Sequence, residues 1–128
     1  MSDKFKVEII SPDKLIFNSE ANEVTIPSYE GQMGILKNHI PLITFLRPGI
    51  ILIRDNQEKK FYVEEGTVEF SNDNLLILTS TVKDLSSLDK KTIDDLLKQA
   101  EKKLNNETAD KERYLLSYKI DTLKEINQ

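Results

Sequence analysis

His39 is the single histidine of the chain, and no cysteine accompanies it, so nucleophilic and metal-ligand chemistry have few arrangements left. It lies in Lys37-Asn38-His39-Ile40-Pro41-Leu42, and its imidazole is a general-base candidate near neutral pH, with serines and carboxylates as partners. A hydrolytic base also needs a nucleophile on a sharp turn and an oxyanion donor, and no Gly-x-Ser-x-Gly elbow occurs. His39 therefore reads as a structural or contact residue. Glu30-Gly31-Gln32-Met33-Gly34 places two glycines three apart, but a phosphate cradle needs a longer loop ending in Lys-Ser or Lys-Thr ahead of a helix. Here Ile35-Leu36 follows, so the glycines read as a turn or bulge, with an exposed polar tip that offers a contact surface. Glu64 and Glu65 are adjacent and would point to opposite faces of a strand, which argues against a shared acid–base site. Asn106-Glu107-Thr108 fits a glycosylation acceptor, but Met1-Ser2-Asp3-Lys4 opens no secretory signal.

The composition narrows the field further. The 128 residues are 38% hydrophobic and 31% charged, enough for a core in one domain plus an appendage. Eighteen basic and 22 acidic side chains leave a net charge of −4, which disfavours a nucleic-acid partner. No apolar run approaches the roughly 20 residues that span a bilayer. Lack of cysteine suits a reducing compartment. Little catalytic equipment is left.

The elements that must position these residues fall into two grammars. Every glycine and proline lies between Pro12 and Gly66, and a shift to uninterrupted sequence marks a change of structural class near Asp84-Leu85-Ser86. Before it, Phe5, Val7 and Ile9 alternate with charged residues, as in a half-buried strand. Leu15-Ile16-Phe17 and Val24-Thr25-Ile26 follow, the latter ended by Pro27. The blocks at 50–53 and 61–63 flank Asp55-Asn56-Gln57-Glu58, and those at 68–70 and 75–78 flank Ser71-Asn72-Asp73-Asn74, predicting two hairpins. Short strands with frequent turns point to a sandwich or barrel.

Beyond Asp84, Ile93, Leu96, Leu97, Ala100 and Leu104 recur on one helical face. Ser86 with Asp89 offers a capping box, and Lys102-Lys103 suits the negative end of the macrodipole. Asn105-Asn106 interrupts the pattern, Thr108 is a cap for a second helix, and Leu116, Ile120 and Leu123 form its stripe. The short connection predicts an antiparallel hairpin of helices about 22–27 Å long. The hairpin's cations are interleaved with as many acids, which reads as a solvated face. Its burial barely offsets the roughly 1–2 kcal/mol of entropy lost per ordered residue, so the hairpin needs a partner surface and is a candidate switch.

Four stretches in order, Val7-Glu8-Ile9-Ile10-Ser11-Pro12, Glu30-Gly31-Gln32-Met33-Gly34-Ile35-Leu36, His39-Ile40-Pro41-Leu42 and Leu46-Arg47-Pro48-Gly49, resemble the epsilon subunits of F-type ATP synthases. The likeness continues more weakly through Phe61-Tyr62-Val63-Glu64-Glu65-Gly66, where Glu65 replaces a glycine common in that family. The resemblance implies an N-terminal antiparallel β-sandwich over 1–84, which docks, and a C-terminal antiparallel α-helical hairpin over 85–128, which regulates. It implies a non-catalytic rotor subunit of the central stalk, coupling c-ring rotation to ATP synthesis, with gamma, the c-ring, alpha and beta as partners. The protein would be a monomer when isolated and peripheral on the cytoplasmic face of the bacterial inner membrane. Gln32, Met33, Gly34 and His39 fall on the family's contact with the c-ring and gamma. Lys111, Arg113, Lys119 and Lys124 correspond to cations with which an extended hairpin restrains hydrolysis. Some relatives bind ATP on the first helix through Ile/Leu-Asp-x-x-Arg-Ala. Here Ile93-Asp94-Asp95-Leu96 is followed by Leu97-Lys98, so no cofactor is expected. An adaptor for a peptide or polysaccharide would account for the missing active site but not for the four motifs. A small hydrolase built on His39 has little to support it.

Overall fold

The computed structural model describes residues 3–127. Ten strands precede two helices: β1 (Phe5–Ile10), β2 (Leu15–Ala21), β3 (Glu23–Ser28), β4 (Gly31–Leu36), β5 (Leu42–Leu46), β6 (Gly49–Arg54), β7 (Glu58–Val63), β8 (Gly66–Ser71), β9 (Asn74–Leu78), β10 (Lys83–Asp84), α1 (Lys90–Asn106) and α2 (Asp110–Ile126). The strands form one curled sheet in the order β10-β7-β6-β3-β5-β8-β9-β1-β2, with β4 on β3. Between β3 and β5 the ladder narrows to the pair Ser28 and Leu46, and the sheet folds there into two layers. Phe17 of β2 meets Phe61 of β7 edge to face at 5.9 Å, which brings the far ends of the path together.

Alternation explains the core. Phe5, Val7 and Ile9 on β1, Val24 and Ile26 on β3, Ile51 and Ile53 on β6, Val68 and Phe70 on β8, and Leu75 and Ile77 on β9 all turn inward and are buried. Both predicted hairpins form, joining β6 to β7 and β8 to β9. Asn72 and Asp73 take φ of 51° and 58°, the left-handed pair that a two-residue turn with matched twist requires. Antiparallel pairing holds at every junction except one, where β1 lies parallel to β9. These two strands are separated by most of the sandwich, so no tight turn dictates their direction.

Three local expectations are corrected. Pro27 does not end its strand but sits inside β3, opposite Gln32. Pairing of β3 with β6 stops at Thr25, so no β6 ladder bond is asked of the proline. Gly49 accommodates it, since a Cβ there would lie 2.5 Å from the Pro27 Cβ. Ser86 does not cap the first helix; it bonds back to Asp84, and the Asp89 carboxylate accepts from the Thr92 N–H at 2.7 Å. Thr108 does not cap the second, whose N-cap is Ala109 with no side-chain cap; Glu107 Oε1 accepts from the N–H groups of Thr108 and Ala109 just ahead of the helix.

The hairpin rests on the outer surface of β6 and β7. Tyr62, Ile93 and Leu123 are buried together, flanked by Leu85, Leu88, Leu96, Leu97 and Ile126. Arg113 clamps the helix connection, its Nη1 donating to the carbonyls of Leu104 and Glu107 at 2.9 Å each.

Candidate interaction surfaces

The stretch expected as a polar loop tip is a strand. Gln32, Met33 and Gly34 lie on β4, paired to β3 from Glu23 opposite Leu36 to Ser28 opposite Gly31. Two glycines three apart looked like a turn, yet only Gly31, at φ 115°, uses glycine's freedom. Gly34 has an ordinary φ and faces the Glu23 carboxylate. The tip itself is Tyr29 and Glu30, fastened by the Ser28 hydroxyl, which donates to the Gly31 carbonyl at 2.7 Å. His39 lies past the other end of β4, so the structure does not bring it beside Gln32. Its ring packs edge-on to Phe70 at 5.9 Å, and its Nδ1 lies 2.7 Å from the Ile40 carbonyl. The adjoining turns are tied by the Asn38 N–H, which donates to the Asp73 carboxylate.

A second surface lies on β5. Leu42-Ile43-Thr44-Phe45-Leu46 buries Thr44 and Leu46 while Ile43 is 76% and Phe45 56% exposed, an inversion of the usual polar-out rule. Tyr29, Phe45, Leu78 and Ile10 line an open groove of about 700 Å³ here, with Gly66 and Thr79 also in its wall. Gly66, at φ 156°, is required, because a Cβ would meet the Leu78 carbonyl at 2.6 Å. Apolar side chains left outside together on a small domain make this face a candidate surface for a partner.

The third surface joins the sandwich to α2. Tyr29 stacks on Tyr114 at 6.3 Å, Tyr114 meets Tyr118 at 4.8 Å, and the Arg47 guanidinium lies 3.9 Å from the Tyr118 ring centre. One residue on, Lys119 Nζ is 3.1 Å from Glu64 Oε2, which also accepts the Tyr62 hydroxyl at 3.0 Å. Burial, reinforced by the Glu64 charge, pushes the Tyr62 phenol far above its usual range, so it remains a donor. A hydrogen bond with Tyr118 comes first in raising the Tyr114 phenol too. Of the four hairpin cations expected to face a partner, Lys111 and Lys124 are exposed, Lys119 is paired to the sandwich and Arg113 clamps the turn. Arg47, Tyr29, Glu64, Tyr114 and Tyr118 were not anticipated from the sequence, although the i, i+4 spacing of the last two already places them on one helical face.

Nothing here gathers catalytic groups. Among the described residues no three His, Asp or Glu side chains come within reach of one metal ion. Asp94, from the motif examined for nucleotide, accepts instead from the Asn127 side-chain amide at 3.0 Å. No described helix is long and apolar enough to cross a membrane.

The β-sandwich domain of the ATP synthase delta/epsilon chain family matches residues 4–84. An ATP synthase epsilon chain of Pelagibacter ubique is 47% identical, over 99% of this chain and the whole of that one. The chain belongs to the ATP synthase epsilon family. A second epsilon chain, from Parvibaculum lavamentivorans, is 31% identical over 98% of this chain and 97% of its own length, so the likeness to the family extends through the helices. The fold also matches a chain in the Euglena gracilis mitochondrial ATP synthase OSCP/F1/c-ring structure, with a TM-score of 0.76 at 18% identity, covering 97% of this chain and 79% of that one.

Proposed function

We propose that this protein is the non-catalytic epsilon subunit of an F-type ATP synthase, a part of the central stalk that links c-ring rotation to ATP synthesis on other subunits. The observation that carries this reading is the 47% identity to an epsilon chain along its whole length. The geometry supports part of the assignment of surfaces. The apolar β5 face, with Ile43 and Phe45 outside, supplies what a gamma shaft would bury. Gln32, Met33 and Gly34 on β4 and His39 beyond it are the proposed contacts with the c-ring and gamma. The complex is membrane-associated, and the subunit is peripheral to it, on the cytoplasmic face of the bacterial inner membrane. The free subunit is a monomer, and it takes no nucleotide: isothermal titration with ATP should show no micromolar binding.

Docking is assigned to residues 1–84 and regulation to 85–128. In that reading the hairpin leaves the sandwich and restrains hydrolysis, Lys111, Arg113, Lys119 and Lys124 meeting acidic surface on a beta subunit. Lys119 would exchange Glu64 for the new partner, and Arg113 would have to keep its turn intact, so the exposed Lys111 and Lys124 report the contact most cleanly. Exposed ion pairs are worth about 0–1 kcal/mol each. Single Lys→Ala changes should give graded relief and deletion of 108–128 full relief. The test has two arms. A chain ending at Asp84 should join a gamma-containing complex, and Phe45→Asp should abolish joining while the sandwich stays folded. A folded 1–84 fragment that never joins would overturn the docking assignment. ATPase rates of the assembled complex, with and without 108–128 at low and high salt, test the hairpin; four equal rates would make it a structural appendage.

A further inference from the structure

Tyr118 and Lys119 are neighbours on α2, yet each is held by a different loop at one end of the sandwich. Arg47, between β5 and β6, places its guanidinium over the Tyr118 ring. Glu64, after β7, holds Lys119. We propose that these two contacts form a two-pronged latch that sets the fraction of time α2 is docked, with Tyr114 on Tyr29 as its extension one turn earlier. The proposal rests on the reading of the hairpin as a movable element.

Three features single out this site. The sandwich half is anchored to its own scaffold, since Arg47 Nη1 donates to the Pro48 carbonyl at 3.3 Å and Glu64 is also bonded by Tyr62. The two prongs have opposite polarity, a cation on an aromatic face and an anion on a cation, so sliding α2 along the sheet would break at least one. Arg47 Nε is buried with no hydrogen-bond partner. Docking therefore withholds from that N–H the acceptor that water returns on release. The latch is poised rather than locked.

The prongs should also differ in their response to salt. An ion pair at the surface is screened by added salt, whereas a guanidinium against a ring face is held largely by contact and by the ring quadrupole. Raising salt should thus weaken the Lys119 prong and leave the Tyr118 prong in place.

The natural absence of cysteine gives a direct measurement. Spin labels on Asp13→Cys and Lys111→Cys, both exposed and outside the latch, read the position of α2 on the full chain. The parent should give one narrow distance. Tyr118→Leu with Lys119→Gln should add a second, longer distance and raise the released fraction relative to docked about tenfold. Arg47→Met with Glu64→Gln should do the same without touching the helix sequence, which separates release from loss of helix. Salt should increase release in Tyr118→Leu and not in Lys119→Gln. An unchanged distance distribution in both double variants, with helix content retained, would overturn the latch. Assembly with a gamma-containing complex is read separately. If assembly fails while the distances shift, the stalk reading falls alone; if assembly survives while the distances stay fixed, the latch falls alone.

Discussion

The sandwich and the hairpin are stabilised by different physics. In the sandwich, 16 buried apolar side chains drawn from nine strands form one continuous core. In the hairpin only Ile93 and Leu123 join Tyr62 in a buried cluster, and most of α1 faces water. That small cluster holds α2 on the sheet together with aromatic and charged contacts, Tyr114, Tyr118 and Lys119 against Tyr29, Arg47 and Glu64. A core of interdigitated side chains has one good solution and resists partial opening. A seam of stacked rings and ion pairs finds nearly equivalent partners elsewhere, in water or on another protein. In the reading proposed above, the same chain combines a body that stays fixed with an arm that lets go.

That contrast breaks or sharpens under four changes. Phe70 is 1% exposed and touches both Phe5 and His39 edge-on, so Phe70→Ala should cost about 3–5 kcal/mol of global stability in chemical denaturation. A loss confined to one strand would mean the sandwich is less cooperative than its core implies. Leu123→Ala should cost about 2–3 kcal/mol, but locally: hydrogen exchange should rise in α1 and α2 and stay unchanged in β1, β8 and β9. Gly66→Ala pushes a methyl into the Leu78 carbonyl at positive φ and should lower sandwich stability by upwards of about 1 kcal/mol. The smallest change acts at the joint between the two parts. A hydrogen bond from Lys59 holds the Asp84 carboxyl below its usual range, helped by Ser86. Near that range the folded state binds fewer protons than the unfolded one, so the contribution is present above about pH 4. It is lost as pH falls through the lowered value. Denaturation midpoints at pH 5 and pH 3 should fall less in Asp84→Asn than in the parent.

Strands that bury one face and wet the other were legible in the sequence: Phe5, Val7 and Ile9 lie inward as the alternation requires. The helical stripe through Ile93 and Ala100 was legible for the same reason. β5 was not, because Ile43 and Phe45 put apolar residues on the outer face and Thr44 on the inner one, erasing the period of two. β4 was hidden by glycines whose use, apart from Gly31, is not conformational. β4 and β5 both carry surface proposed for partners, and a surface shaped for a partner departs from the pattern of a solvated one. Helix caps were missed because several side chains near an end can accept from its free N–H groups, and composition alone does not rank Asp89 above Ser86 or show that α2 begins after Ala109 with no side-chain cap. Arg47, Glu64 and Tyr29 lie far from α2 in sequence, and only the tertiary packing brings them to it.

The parallel pairing of β1 with β9 also sets the order in which the molecule is built. Lys6 finds its partner at Asn74 and Ile10 at Leu78, so the opening strand pairs locally with β2 while its other edge waits for nearly the whole sandwich to be made. Closing so long a loop carries an entropic cost that local contacts do not offset, and chains dominated by distant pairings fold slowly. The β6–β7 and β8–β9 hairpins are local and form on the microsecond scale. The helices after them need only neighbouring residues to begin. During synthesis, β1 and β2 would emerge first and pair with each other, leaving Val7 and Ile9 uncovered until β9 is made. The vulnerable period for this protein is thus the interval before its ninth strand arrives, when chaperone capture or self-association would compete with folding.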